Sequence, residues 1–210
     1  MTNDFWLERW VSGKIGFHQE EVFHKLIEFW PKLPTNSKVL VPLCGKSNDM
    51  VWLAEQGYQV TGVELSPLAV MQFLADNDFT FETTQFENGM KVHMVQELPL
   101  RIIEGDYFKF QEQGFDACYD RAAMVAIAKP ERPNYVKHTI ERLTPSAELL
   151  LVSLQHDGEL NKPPYSVLSQ EVIDLWGEKI SKISSENLTQ LDPQYKARGY
   201  DFFEESVWRF

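Results

Sequence analysis

Gly45 and Glu64, 19 residues apart, are the first pair in this chain whose types and spacing suggest chemistry. A glycine in a tight bend lets a ligand come close to the backbone. A carboxylate at a strand tip can accept hydrogen bonds from two neighbouring hydroxyls. Together they suit a ribose held beyond the carboxyl ends of parallel strands. The loop VPLCGKS has one glycine where a dinucleotide fingerprint needs three, and it is not a Walker loop. What remains fits a nucleoside without a pyrophosphate, and S-adenosylmethionine is one such ligand. On these residues alone a plainer account stays open, with Gly45 a turn glycine and Glu64 a solvated strand end.

Other candidates surround this pair. Trp10 and Phe17 border the turn SGKIGF and can cover a ligand, although packing of N-terminal helices would also use them. Asp106 and Tyr107, in EGDYF after a predicted strand, are placed to reach an adenine or to make an ordinary turn. Arg121 closes another strand and faces the crevice. It is assigned to the donor's amino acid part or to the acceptor's developing anion, with an ion pair to Asp120 or Glu131 as the alternative.

These residues need a βαβ unit to hold them. Lys38 to Leu43 is a short apolar run of the kind buried on both faces of a parallel sheet. Residues 46–56 follow a helical pattern that ends at Gly57, and Tyr58 to Val63 is a second β-rich run. Upstream, the spacing predicts a helix over 3–11 and a longer one from about His18 to Trp30, stopped by Pro31. Ser66-Pro67 opens another helix. Residues 79–98, with Asn88-Gly89 between alternating runs, are expected to form a hairpin insertion. Strands are predicted at 100–103, 115–119, 148–154, 178–187 and 200–209, and helices at 131–143 and 169–176. This alternation predicts an α/β three-layer sandwich. Its sheet is Rossmann-like, mostly parallel and seven-stranded, with an antiparallel last strand and an N-terminal helical cover over 1–35. One domain is expected over 1–210.

Composition narrows the function. A formal charge of −11 disfavours nucleic acid and anionic membrane surfaces. The 43% apolar and 13% aromatic content supports a sizeable core. The opening MTNDFWLERW lacks the apolar core of a secretory leader, and no run spans a bilayer. Cys44 and Cys118 are expected as buried thiols, no Cys/His cluster has metal spacing, and the expected setting is cytoplasmic. Without a heptad or a long apolar patch, a monomer is expected.

Several segments resemble the thiopurine S-methyltransferase family, especially its bacterial branch. They are FWLERWVSGKIGFHQ, VLVPLCGKSNDMVWLAEQG, VTGVELS, YDRAAMVAIAKPER and PPYSV, and they run nearly end to end. The resemblance implies a class I methyltransferase fold, S-adenosyl-L-methionine as methyl donor and small, often aromatic, thiols as acceptors. It makes Trp10, Leu43, Glu64 and Arg121 cofactor-contacting positions, with Phe17 and Gly45 lining the same pocket. In-line transfer from a sulfonium to a thiolate calls for alignment and exclusion of water rather than a strong base. That agrees with the lack of a nucleophile–His–acid constellation. Acceptors that are selenium or tellurium species, halide or thiocyanate stay open, as does a nucleoside-binding protein without catalysis.

Overall fold

In the computed structural model, which describes residues 3–210, the βαβ unit forms where its apolar runs place it. Lys38–Pro42 (β1) and Gln59–Glu64 (β2) pair in parallel, with Val39 opposite Val60 and Val41 opposite Gly62. Each strand is buried along its whole length after the first residue, which explains why neither alternates polar with apolar. Asp49–Glu55 and Pro67–Asp76, taken as α3 and α4, pack on β2. A Cβ on Gly62 would lie 2.6 Å from Met50 Sδ and 2.7 Å from Cys44 Sγ, so glycine is what lets α3 approach β2. Ser66 caps α4, its Oγ accepting the Ala69 N–H at 3.3 Å.

The chain divides into two compact units, Met1–Tyr119 with Arg142–Ala147, and Asp120–Glu141 with Glu148–Phe210. The first unit begins with helices Asn3–Val11 (α1) and His24–Phe29 (α2). After β2 it adds strands Phe81–Gln85 (β3), Lys91–Val95 (β4) and Leu100–Glu104 (β5), and it holds most of Phe115–Arg121 (β6). Their order is β3-β4-β5-β2-β1-β6. Strands β5, β2, β1 and β6 are mutually parallel.

The second unit carries Arg132–Ile140 (α5), the larger part of Leu143–His156 (β7), Ser169–Trp176 (α6) and Ser181–Asn187 (β8). Two short helices, Leu188–Leu191 (α7) and Pro193–Ala197 (α8), lead to Phe203–Arg209 (β9). Strand β9 is antiparallel to both β7 and β8. The result is the mixed α/β architecture expected from the sequence, with parallel central strands, flanking helices and an antiparallel last strand. Cys44 and Cys118 are buried, and neither is in a disulfide. Among the described residues no helix is long and apolar enough to cross a membrane.

Three expectations need correction. Among the described residues nine strands form rather than seven, because the hairpin at 79–98 is not a mere insertion: β4 pairs antiparallel with β5 and extends the sheet. The helix expected from His18 starts only at His24. Side chains of Asn48 and Asp49 take the Glu20 carbonyl and the Phe23 N–H, backbone groups that a helix would have used itself. The third helix likewise starts at Asp49 rather than Lys46, since Lys46 reaches Asp76 and Ser47 turns its hydroxyl to the Asp49 N–H.

Candidate active site

The carboxyl end of β1 carries the sharpest backbone in the first unit. Leu43 has φ 47° and Gly45 φ 54°, so two left-handed residues fall within three. Left-handed backbone is uncommon for a leucine and costs about 1 kcal/mol or more. The Cys44 N–H between them donates to the Val63 carbonyl at 3.1 Å, which ties the bend to the end of β2.

Glu64 completes this corner. Its Oε2 accepts the Gly45 N–H at 2.9 Å and its Oε1 accepts the Ser66 N–H at 2.6 Å. Each oxygen keeps a further lone-pair direction. Burial pushes the Glu64 carboxyl up to about 6, against the pull of the Ser66 and Gly45 amides. Beside it, burial and then the Glu64 charge push the Cys44 thiol well above its ordinary value, which disfavours the thiolate.

Trp10 lies against the bend. A Cβ on Gly45 would meet Trp10 Cζ2 at 3.2 Å, and the indole is only 5% exposed. Phe17 meets Trp10 edge-on at 5.6 Å and Trp6 at 5.9 Å. Trp10, Phe17, Gly45 and Glu64 are therefore joined by successive contacts, with Leu43 shaping the turn.

Asp106 and Tyr107 follow β5, whose Glu104 sits opposite Glu64, and the Gly105 N–H donates to the Glu64 carbonyl at 2.8 Å. The Asp106 carboxylate has a structural use: it accepts the Phe108 N–H at 3.0 Å and the Asn3 amide at 3.3 Å. Tyr107 is buried. Arg121 ends β6 and belongs to the second unit. Ala122 after it has φ 67°, a second left-handed non-glycine residue at a strand end. Asp120 is fully buried, and its oxygens accept the Met124 N–H at 3.0 Å and the Tyr135 hydroxyl at 2.7 Å.

The sequence reading passed over three contributors. The Ser66 amide orients Glu64, although Ser66 was legible only as a helix cap. Asn3 fastens α1 to Asp106. The Ala122 conformation has no signal in its residue type.

A strained single-glycine bend with a buried carboxylate and an indole beside it sits on a fold shared with S-adenosylmethionine-dependent methyltransferases. A Burkholderia thailandensis 1,6-didemethyltoxoflavin-N1-methyltransferase, solved with S-adenosylhomocysteine, superposes with TM-score 0.63 at 15% identity, over 99% of this chain and 86% of that one. TehB from Haemophilus influenzae gives TM-score 0.64 at 15% identity, over 96% of this chain and 65% of that one. At these identities the likeness is one of fold.

Sequence comparison is more specific. The family model described as thiopurine S-methyltransferase matches residues 1–210. A thiopurine S-methyltransferase of Vibrio atlanticus is 38% identical over 209 residues, covering 98% of this chain and 95% of the relative. One of Xanthomonas campestris is 38% identical over 217 residues, covering 100% and 98%. The chain belongs to the thiopurine S-methyltransferase family of S-adenosylmethionine-dependent methyltransferases.

Proposed function

We propose that the protein methylates the sulfur of small aromatic or heterocyclic thiols, with S-adenosyl-L-methionine held at the Gly45–Glu64 corner. The observation that carries this reading is the buried Glu64 carboxylate, aimed by the Gly45 and Ser66 amides and retaining free lone pairs for hydroxyl donors. The residues present fit an adenosyl group. The bend has no spare room for a Cβ, and a single glycine amide offers no cradle for a pyrophosphate.

When bound, S-adenosylmethionine supplies an electrophilic methyl group on a sulfonium. The chain's own residues position and desolvate. Glu64 receives the ribose hydroxyls, and Leu43 with Gly45 forms the wall of the bend. Trp10 and Phe17 offer aromatic surface to a cation and keep water out. Tyr107 and Asp106 flank the adenine side, and the Asp106 oxygens remain bound to Phe108 and Asn3. Arg121 serves the acceptor's developing anion or the donor's carboxylate. A thiol has an ordinary pKa near 8.5, so deprotonation needs only modest help and alignment dominates.

The test is transfer of a labelled methyl group to an aromatic thiol, in competition with iodide and with selenium and tellurium acceptors. Preferential S-methylation supports the reading. Preference for iodide or a chalcogen species moves the acceptor class, and binding without any methylated product indicates a nucleoside-binding protein. Arg121→Ala should lower turnover more than it lowers stability, and unchanged turnover would remove Arg121 from the site.

A further inference from the structure

The chain between α1 and α2, residues 12–23, carries Phe17 and forms neither helix nor strand. Its first half is held by its own turns: Gly13 N–H to the Trp10 carbonyl at 3.2 Å, Lys14 N–H to Arg9 at 3.0 Å, and His18 N–H to Ile15 at 2.8 Å. Its second half is held by two consecutive side chains at the start of α3. Asn48 Nδ2 donates to the Glu20 carbonyl at 2.7 Å, and Asp49 Oδ1 accepts the Phe23 N–H at 2.8 Å.

Both side chains are themselves aimed. The Asn77 amide donates to Asn48 Oδ1 at 3.3 Å, which leaves the Asn48 Nδ2 turned to Glu20. Asp49 is fully buried, and its second oxygen accepts the Tyr119 hydroxyl at 2.9 Å. Burying a carboxylate is costly unless its hydrogen bonds are well made, and Asp49 uses one of them on a segment with no regular structure. At the other end of the segment, Gly13 has φ +67° and nothing within 4 Å of where a Cβ would stand.

We propose that Asn48 and Asp49 are positioning residues. They latch residues 12–23 to the helix that follows the Gly45 bend, and so hold Phe17 against Trp10 as a cover for the donor. This rests on the donor pocket proposed above. The latch is local: its two bonds come from one helical turn beginning three residues after Gly45, so breaking it frees the segment without unpairing β1 or β2.

The test compares amide hydrogen exchange over 12–23, melting temperature and calorimetric affinity for S-adenosylhomocysteine in several variants. Asn48→Ala and Asn48→Asp lose the donor to Glu20. Each should raise exchange over 12–23 by about three- to tenfold and weaken S-adenosylhomocysteine by a similar factor, with exchange in β1 and β2 unchanged. Asp49→Asn keeps an oxygen for the Phe23 N–H but puts an amide where the Tyr119 hydroxyl donates, so it should lower the melting temperature while leaving exchange over 12–23 closer to the unaltered protein than either Asn48 variant does. A purely structural role predicts a lower melting temperature with unaltered affinity. That result, or unchanged exchange over 12–23, overturns the proposal. If the unaltered protein takes up no S-adenosylhomocysteine, the donor pocket itself fails. The exchange measurement needs no ligand, and it still decides whether the latch exists.

Discussion

Two carboxylates, one in each unit, stand at the ends of strands and share an electrostatic signature, yet their surroundings assign them different work. Burial pushes both Glu64 and Asp120 up to about 6. Asp120 is completely enclosed, and a phenol and an amide from its own unit occupy its oxygens. Glu64 is 7% exposed, is held only by backbone amides, and lies beside a left-handed bend and an indole. A raised pKa by itself therefore marks burial and not function. Residual exposure beside the Gly45 bend and the Trp10 indole is what sets Glu64 apart.

The comparison breaks first on stability. Asp120→Ala leaves the Met124 N–H and the Tyr135 hydroxyl without their partner in a buried place, and each orphaned donor costs about 1–3 kcal/mol. A loss of about 2–4 kcal/mol in urea unfolding is expected. A change below about 0.5 kcal/mol would show that Asp120 is not the structural member of the pair. Glu64→Ala should instead act on the ligand, weakening S-adenosylhomocysteine by about 1–3 kcal/mol in calorimetry, the range for hydrogen bonds to a charged group. Unchanged affinity would remove Glu64 from the donor site.

The contrast also explains how much was legible beforehand. Strands β1 and β2 are buried on both faces, so their apolar runs, the Gly45 bend and the Glu64 tip could be read from residue type and spacing. The hairpin was legible because Asn88-Gly89 sits between alternating runs, but its pairing to β5 depends on contacts that a local pattern does not carry. Strand β6 runs two residues further than expected, through Asp120 and Arg121. Polar residues there look like a loop until Tyr135, 15 residues on, supplies a partner for Asp120. Leu43 and Ala122 are left-handed although neither residue type favours that conformation, so the two strained corners were invisible. Helix α2 lost its first turns to Asn48 and Asp49, a tertiary competition that apolar periodicity cannot register.

Acidity separates the two carboxylates more finely. Each has a folded pKa above its ordinary value, 4.5 for Glu64 and 3.8 for Asp120, so the folded state holds the proton more tightly than the unfolded chain. The stability this contributes is fully present below about pH 4 and is lost as pH rises through about 6, on the order of 2 kcal/mol for Glu64 and 3 kcal/mol for Asp120. Urea unfolding at a series of pH values should show Glu64→Gln and Asp120→Asn each removing part of that slope. Ligand affinity should split them. Binding of S-adenosylhomocysteine should strengthen as Glu64 ionises near pH 6, and Glu64→Gln should abolish this step while Asp120→Asn keeps it. Loss of the step in both variants would erase the distinction between the two carboxylates.

The smallest effect tests the strained backbone beside Glu64 against strain elsewhere. Gly45 and Gly13 both have positive φ, 54° and 67°, and both belong to the first unit. Alanine at either position costs about 1 kcal/mol from conformation alone. Only at Gly45 does the added methyl also meet a neighbour, Trp10 Cζ2 at 3.2 Å, whereas nothing lies within 4 Å at Gly13. The indole is 5% exposed and held edge-on by Phe17, so it can yield only by shifting the cover over the bend. Gly45→Ala should therefore lower the melting temperature at least as much as Gly13→Ala does, and weaken S-adenosylhomocysteine about threefold more, a further ~0.6 kcal/mol. Equal affinities in the two variants would mean that the ligand does not approach the backbone at Gly45, and the bend would return to being an ordinary turn.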